Sequence, residues 1–474
     1  IELENDGSET LDVSGYGLSD DPGKLSKWAL PSGTTIAPRS LLVVEASDLG
    51  ASTLSSSVVY LSTPSADRVL DALSLRDGVN VPGEEPIAYG RPPGELRPCV
   101  LLARPTPGVP NVRELESDLV IHEIHYRSLA DDPSDELIEL RNIGAEKRSL
   151  AGMRLRGGID FDFTTEHEIP AGGFLVVAKD PSRTASRYGL KAELVSGPFE
   201  GRLANRSEEI RIEDALGRTI DVVAYADRSP WPSEADGGGS TLELLHPRLD
   251  NRFAGAWRAS DESRRGEWQT ISYSLELRTF RNMSATSFQL ILLDAGECWV
   301  DDLRVTHESG ELVVGETFAF ENPAWRAFGT HEGSGRVTVG SGAANPYYRV
   351  VSTGRGNSRH NYVSLDLDGA LREGSSYTVS FRARWISGSP LLLSRTAGQG
   401  LARTHTLSAA RASGTPLDLN SRRAAAPSPV VGTPRQTPIV PSTGESVRIV
   451  VPITSTTNIE KAVVRFRREN EPEW

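Results

Sequence analysis

His122 and His125 flank Glu123 in the sequence HEIH, so two imidazoles and a carboxylate lie within four residues. The zinc-protease motif needs two histidines at positions i and i+4 of a helix, with a glutamate as general base. Here the histidines are at i and i+3 in a strand-like run, so their side chains are expected on opposite faces. The sequence therefore predicts a surface or edge pair of histidines and no zinc centre.

Asp160 and Asp162 in GGIDFDF form a second candidate site, because they share one strand face near Glu166 and Glu168. Several carboxylate oxygens are the ligands that calcium prefers. The alternation also places two phenylalanines on the opposite face of the same strand. The pattern favours a polar face over a buried phenylalanine pair, with calcium as the alternative.

Aromatic side chains between residues 325 and 385 could stack on the apolar C–H faces of sugar rings, although aromatics in β-sandwiches usually belong to the core. Trp385 alternates with Phe381 on one strand face, which indicates a core position. The residues that we predict to bind a ligand are Tyr347, Tyr348, Arg359, Asn361 and Trp325.

Composition narrows the function classes. The chain has 474 residues, enough for about three domains, and a net charge of −13, which argues against binding to nucleic acid or anionic lipid. No apolar run approaches the roughly 20 residues that span a bilayer. The first residue is Ile1, from which we expect a piece of a longer protein. Cys99 and Cys298 lie too far apart for a disulfide-rich scaffold or a cysteine zinc site.

A long repeat runs through the first half of the chain. Residues 1–20 (IELENDGSETLDVSGYGLSD) match residues 138–157 (IELRNIGAEKRSLAGMRLRG), and IAPRSLLVV later matches IPAGGFLVV. A period above about 100 residues indicates duplicated domains, because solenoid repeats are far shorter. The second copy is preceded by a strand-like run at 119–136, so the first domain is expected to lack its opening strand.

Short strands and tight turns dominate both copies. Residues 208–227 (EEIRIEDALGRTIDVVAYAD) alternate, turn and alternate again, which predicts a hairpin. One short helix is predicted within 181–190. Evenly spaced strands with Gly- and Pro-containing turns are typical of an all-β sandwich.

Both copies resemble the bacterial lamin-tail domain, an immunoglobulin-like β-sandwich. The resemblance is carried by IELENDG, LDVSGYGLSDDP and LLVV in residues 1–111, and by ELIELRNIG, IPAGGFLVVAKDP and SPWPSEADGGGSTLELLHP in residues 118–266. It implies two non-catalytic modules of secreted or cell-surface proteins, with no catalytic residue to carry over.

Residues 267–412 resemble a carbohydrate-binding jelly roll whose halves occur in reverse order. WQTISYSLELRTF and WVDDLRV look like the closing half, whereas FAFENPAWRAFG, YRVVSTGRGN and YTVSFRARWISG look like the opening half. We therefore expect one circularly permuted sandwich, which adjacent chain ends make geometrically easy.

This resemblance implies a structural calcium ion at Asp301, Asp302 and Glu321, where such modules often hold one. Carboxylates and carbonyls would satisfy the cation. The alternative is that the two aspartates only end a strand.

The remaining chain divides into a Pro-, Ser- and Thr-rich linker at 413–445, expected to be extended or mobile, and residues 446–474, which resemble the start of an immunoglobulin- or fibronectin-III-like domain. The domain order, with DES…WQ at 261–269 and GTP…NSR at 414–422, resembles the front of large secreted proteins that carry a CotH-like kinase domain further along.

The sequence thus predicts an all-β, non-enzymatic, extracellular or cell-surface segment for adhesion, display or glycan binding. Its expected partner is a polysaccharide or a cell-surface glycan or protein, without nucleic acid or membrane insertion, and we expect a monomer whose only cofactor is structural calcium. The alternatives are a spacer without ligand and an accessory region of a CotH-like kinase whose catalytic domain lies outside this chain.

Overall fold

The computed structural model describes residues 1–45, 58–74, 87–92, 99–115, 117–280, 284–316, 325–337, 346–367, 371–437, 444 and 446–465. Within these ranges the chain is nearly all β, as predicted. The α-helix of the described residues, α1, spans Pro181–Tyr188; Asp180 caps it by accepting a hydrogen bond from the backbone N–H of Arg183 (3.0 Å), and Gly189 ends it at φ +65°. Short 3₁₀ helices occur at Pro133–Asp135, Ala192–Leu194, Ser233–Ala235, Ala254–Ala256, Gly329–His331 and Ala397–Gln399.

The first domain has short strands around a small core. They form the sheets β1–β6, β2–β5, β4–β3–β7–β8 and β9–β10. The core residues are Val13, Leu18, Leu30, Ile36 and Val44. The strands are β1 (Glu2–Asn5), β2 (Leu11–Asp12), β3 (Gly17–Ser19), β4 (Trp28–Ala29), β5 (Thr35–Ile36), β6 (Ser40–Val43), β7 (Val58–Ser62), β8 (Val69–Ser74), β9 (Tyr89–Gly90) and β10 (Val100–Leu101).

The second domain packs two larger sheets face to face, in the orders β18–β17–β12–β11–β22–β23 and β19–β15–β14–β20–β21. The predicted hairpin is β20–β21. The strands are β11 (Leu119–His125), β12 (Leu137–Asn142), β13 (Arg148–Ser149), β14 (Arg154–Gly157), β15 (Ile159–Asp162), β16 (Glu168–Ile169), β17 (Phe174–Ala178), β18 (Val195–Ser196), β19 (Glu200–Gly201), β20 (Ser207–Glu213), β21 (Thr219–Ala226), β22 (Leu242–Leu244) and β23 (Trp257–Ala259).

The sequence repeat corresponds to a structural repeat. Asn5 Nδ2 donates to the carbonyl of Ile36 (2.9 Å), and Asn142 Nδ2 donates to the carbonyl of Ile169 (3.0 Å). Each asparagine side-chain oxygen also accepts the backbone N–H two residues later at 2.9 Å. The same buried amide therefore ties the same two strand ends together in both copies.

The third domain is one sandwich built from both halves of residues 268–406. Its sheets are β24–β32–β26–β30–β29, with β27 added to β26, and β28–β31–β25–β33–β34. The strands are β24 (Trp268–Glu276), β25 (Ser287–Leu292), β26 (Gly296–His307), β27 (Leu312–Glu316), β28 (Trp325–Phe328), β29 (Gly335–Val337), β30 (Tyr347–Ser352), β31 (Tyr362–Asp366), β32 (Ser376–Gly388), β33 (Leu391–Thr396) and β34 (Arg403–Thr406).

The long pairing of β24 with β32 joins the two halves. It runs in register from Trp268 opposite Arg384 to Glu276 opposite Ser376. Residues that open the segment therefore hydrogen-bond to residues near its end, and both contribute to one hydrophobic core. This is the arrangement that the permuted order predicts.

The segment that follows the jelly roll differs from the expected free linker, because its first part is packed on the second domain. Backbone N–H groups of Gly414 and Thr415 donate to the buried carboxylates of Glu262 (2.8 Å) and Glu123 (3.1 Å). Asn420 Nδ2 donates to the carbonyls of His122 (3.1 Å) and Leu244 (2.9 Å). We call residues 413–423 the strap.

Later residues of the chain form two short strand pairs, β35–β38 and β36–β37. Their bounds are β35 (Val430–Val431), β36 (Arg435–Thr437), β37 (Arg448–Val450) and β38 (Ile453–Thr454). Val430 packs into the core of the second domain. Residues 466–474, part of the expected immunoglobulin-like start, lie outside the described residues.

Candidate functional site

The outer face of the larger jelly-roll sheet carries alternating aromatic and guanidinium side chains. Along β32, Phe381, Ala383 and Trp385 are buried in the core, so the intervening Arg382 and Arg384 point away from it. The alternation thus puts two cations on the outer side of a strand that lies between β24 and β26.

Two tryptophans lie on either side of Arg384. Trp268 of β24 and Trp299 of β26 are both directly opposite it in register. On the far side of β26, Trp299 pairs with Arg349 of β30. We call Trp268, Arg384, Trp299, Arg349 and the adjoining Tyr347 the outer-face row.

The rings of the outer-face row touch one another. Tyr347 stacks on Trp299 with centroids 4.1 Å apart and 23° between planes, and meets Trp268 edge-on at 6.4 Å. The guanidinium of Arg384 lies 5.3 Å from the Trp299 ring centroid, and that of Arg382 lies 5.2 Å from the Trp268 centroid. Both tryptophans are half-buried, so part of each indole meets solvent. The result is a nearly continuous π surface on a sheet.

Carboxylates neutralise two of the arginines named above, Arg382 and Arg349. Arg382 bonds Asp301 (2.5 Å) and Asp302 (2.7 Å). Arg349 bonds Glu297 at 2.7 Å, and Glu297 also accepts the indole N–H of Trp299 at 2.8 Å. The hydrogen bond from the indole N–H to Glu297 fixes the orientation of the Trp299 ring.

Tyr347 keeps its phenol proton on this face. Burial, followed by the nearby carboxylate of Glu297, raises the pKa of the Tyr347 hydroxyl. A protonated phenol at the end of an aromatic surface can donate a hydrogen bond to a ligand oxygen. Rigid aromatic planes beside hydrogen-bond donors are the groups that hold a sugar ring by its C–H face and its hydroxyls.

The predicted ligand residues fall in three separate places. Tyr347 belongs to the outer-face row, where only 6% of it is exposed. Tyr348 points the opposite way, is buried, and packs against Trp325 with ring centroids 4.7 Å apart. Arg359 and Asn361 lie in the loop before β31. Asn361 has a structural role there, because its side-chain oxygen accepts a hydrogen bond from the backbone N–H of Thr330 (2.9 Å). Trp385, predicted as core, is buried.

Trp268, Trp299 and Arg384 were missed by the sequence reasoning. Cys298 and Val300 are buried on β26, and that pattern could have marked Trp299 as outward-facing. Its distance in sequence from Arg384 and Tyr347 hid the cluster, since strand register is not readable from one sequence.

The predicted calcium site is described only in part, because Glu321 lies outside the described residues. Asp301 is buried where β26 shifts register, and Asp302 next to it has φ +52°. Both carboxylates already bond Arg382. No group of three metal-binding side chains occurs within the described ranges, and the calcium site stays a prediction.

The histidine pair is buried, contrary to the expected surface or edge position. β11 is an inner strand of its sheet, between β12 and β22, and the strap covers its outer side. His122 Nδ1 lies 2.8 Å from Glu139 Oε1. Burial lowers the pKa of His122 to about 3 and that of His125 to about 4, so both imidazoles are neutral.

Asp160 and Asp162 lie on an exposed strand face, as the favoured interpretation has it. Both interact with Arg156, at 3.5 and 2.5 Å. Phe161 and Phe163 meet edge-to-face with centroids 5.0 Å apart. The neighbouring Glu168 forms a salt bridge with Lys147 at 2.7 Å.

Two known domain families match parts of this chain. Residues 114–227 match the family model of the Lamin Tail Domain. Residues 311–409 match the family model described as Carbohydrate binding domain. The chain therefore contains a lamin-tail domain and a carbohydrate-binding domain. The second match includes Tyr347, Arg349 and Arg384, whereas Trp268 and Trp299 precede it in the chain and join it through the sheet.

Similarity to whole proteins is much weaker. No curated protein matches the chain. Two solved structures with similarity are complexes of exo-chitosanase variants from Amycolatopsis orientalis with PNP-beta-D-glucosamine, each 12% identical to this chain. They match 58% and 60% of this chain, which spans 27% and 26% of theirs, with TM-scores of 0.12 and 0.13. TM-scores this low do not support a shared fold or a shared function. None of the helices in the described ranges is long and apolar enough to cross a membrane.

Proposed function

We propose that this chain is a non-catalytic glycan-binding segment that works outside the cell. The binding surface is the outer-face row of the carbohydrate-binding domain. One observation carries the proposal: Trp268, Trp299 and Tyr347 come from three strands and form one contiguous aromatic surface.

The chemistry of the row suits a sugar better than a protein partner. The exposed parts of the two half-buried indoles can pack on the C–H faces of pyranose rings, and the flanking arginines offer donors for hydroxyls. Stacked side chains and ion pairs hold the rings in place before a ligand arrives, so little ordering entropy is lost on binding.

The state of the described acidic groups supports a binding role rather than catalysis. Asp301 and Asp302 bond Arg382, and Glu297 bonds Arg349. A hydrolytic pair of carboxylates needs one acid and one base facing the same bond across open space. Carboxylates engaged by guanidinium groups serve to position the aromatic rings.

Affinity electrophoresis of the full chain against neutral and acidic polysaccharides tests this proposal. We expect retardation by at least one glycan and its loss in Trp299→Ala. The matched control is Phe328→Ala, which removes an aromatic side chain from β28 in the other sheet. Retardation that survives Trp299→Ala and disappears in Phe328→Ala would move the site to the Arg359–Asn361 loop.

If none of the glycans retards the chain, the alternative of a spacer without ligand is favoured. The order of domains also supports an accessory role beside a CotH-like kinase, in which the glycan-binding surface would hold the enzyme near a cell-surface target. That role is tested by adding the separately purified chain to such a kinase and measuring phosphate transfer to glycan-attached substrates.

A further inference from the structure

We propose that Arg384 recognises the carboxylate of a uronic acid residue, so that the outer-face row selects acidic polysaccharides. This inference rests on the glycan-binding function proposed above and names its ligand class. The arginines of this sheet face differ in whether a carboxylate of the chain pairs with them.

Arg384 differs from its two neighbours in having no counter-ion. Arg382 and Arg349 each bond carboxylates at 2.5–2.7 Å. Within the described part of the chain, the side chain of Arg384 makes no hydrogen bond or ion pair, and its Nε atom is buried without a partner. Its described contact is the face of the Trp299 ring. A guanidinium without a counter-ion can bind a ligand carboxylate without first breaking an ion pair of its own.

The position of Arg384 matches the geometry of a bound acidic sugar. It lies in register between Trp268 and Trp299, so a sugar ring packed on the exposed part of either indole brings a ring substituent next to the guanidinium. A planar guanidinium forms two parallel hydrogen bonds with a carboxylate, and these are stronger than bonds to neutral oxygens. The half-buried site also reduces screening of the charge by water.

Three carboxylates near Arg384 are already engaged by other side chains. Asp301 and Asp302 are held by Arg382, and Glu297 is held by Arg349 and by the Trp299 indole. The chain is acidic overall, with a net charge of −13, so a non-specific attraction to polyanions is not expected. Selection of an acidic glycan would therefore come from the local site.

The test compares polygalacturonate with fully methyl-esterified homogalacturonan, which has the same sugar ring without the charge, and adds alginate and hyaluronan as further uronate polymers. Isothermal titration of the full chain is expected to give tighter binding to at least one uronate polymer than to the neutral ester. Arg384→Gln should lower that affinity roughly tenfold and lower binding to the neutral ester much less. Arg384→Lys keeps the charge and should recover only part of the loss.

The matched control is Arg304→Gln, which alters an exposed arginine of β26 outside the outer-face row and should leave the preference for uronates unchanged. Circular dichroism and melting curves verify that each variant is folded. Equal binding of uronate and ester polymers, or an unchanged preference in Arg384→Gln, overturns the inference but leaves the glycan-binding function standing. Equally tight binding of dextran sulfate, abolished by salt, would indicate charge attraction alone and overturns it too. A wild-type chain that binds neither the uronate polymers nor any neutral glycan would contradict the proposed function itself.

Discussion

Trp299 and Tyr347 stack on the outer face of the jelly-roll sheet with ring centroids 4.1 Å apart. Neither ring can be removed without exposing the other. Tyr347→Ala is therefore expected to weaken glycan binding and to lower the melting temperature slightly, whereas Tyr347→Phe should keep the stacking and lose only the hydroxyl. Paired titrations and melting curves of the two variants separate the two contributions. Equal effects of Ala and Phe would assign the role of Tyr347 to its hydroxyl.

The buried carboxylates of the second domain predict a pH dependence of stability. Burial, with repulsion from Glu243, raises the pKa of Glu123 to about 8, and burial raises that of Asp221 to about 7. Because these folded-state pKa values lie above the unfolded ones, the contribution is full at low pH and is lost as pH rises towards 8. The neutral histidines His122 and His125 act oppositely below about pH 6.5.

Melting temperature should therefore fall between pH 6.5 and 8, where the carboxylates titrate without the histidines. Glu123→Gln is expected to flatten this slope, because an amide does not ionise. Glu146→Gln, which alters an exposed glutamate of the same domain, is the control and should keep the slope. A slope unchanged in Glu123→Gln would contradict the assignment to Glu123.

Because the strap is packed on the second domain, we expect it to resist cleavage by protease. Arg422 and Arg423 are potential trypsin sites, and Asn420 holds this part of the strap to two backbone carbonyls. Asn420→Ala leaves those buried carbonyls unpaired at a cost of about 1–3 kcal/mol, so cleavage after Arg422 or Arg423 should accelerate. Asp418→Asn, at an exposed position of the strap, should leave the rate as it is, and equal rates in both variants would indicate that the strap opens without releasing Asn420.

A structural calcium ion at Asp301, Asp302 and Glu321 would make the jelly roll sensitive to chelation. In that case EDTA lowers the melting temperature of the wild-type chain, and Glu321→Gln removes the difference. If the melting temperature is the same with calcium and with chelator, the two aspartates bind Arg382 and no calcium ion.

The equivalent asparagines predict equal effects in the two repeats. Asn142→Ala removes one buried amide that serves several backbone carbonyls, and should destabilise the second domain by about 1–3 kcal/mol. Asn5→Ala should do the same in the first domain. Calorimetry of the full chain would register each loss as a shift of a different transition, and two shifts in one transition would contradict independent repeats.

Local patterns predicted the local structure well. The matching residues around Asn5 and Asn142 indicated the duplication, and alternation indicated the β20–β21 hairpin. The reversed order of the jelly-roll halves predicted that Trp268 and Trp385 would belong to one sandwich, as they do. Each of these depends on residues that are close in sequence or on a repeat that the sequence itself displays.

Features that depend on the alignment of strands far apart in sequence were not predictable in this way. The strap is rich in polar residues and prolines, so its composition indicates a solvated linker, yet glutamates on β11, β12 and β22 accept its backbone N–H groups. The outer-face row likewise needs three strands to be aligned before Trp299 and Arg384 become neighbours. A single sequence holds no information about that alignment.

Glycan binding by the outer-face row is tested most directly by titrating the full chain with an oligosaccharide of the polymer that retards it. The wild type should bind with one site per jelly roll, and Trp268→Ala/Trp299→Ala should lose at least about 2 kcal/mol of binding free energy, as expected for tryptophans central to a binding surface. Phe328→Ala should bind as the wild type does. A folded double variant that binds the oligosaccharide with unchanged affinity would contradict the account.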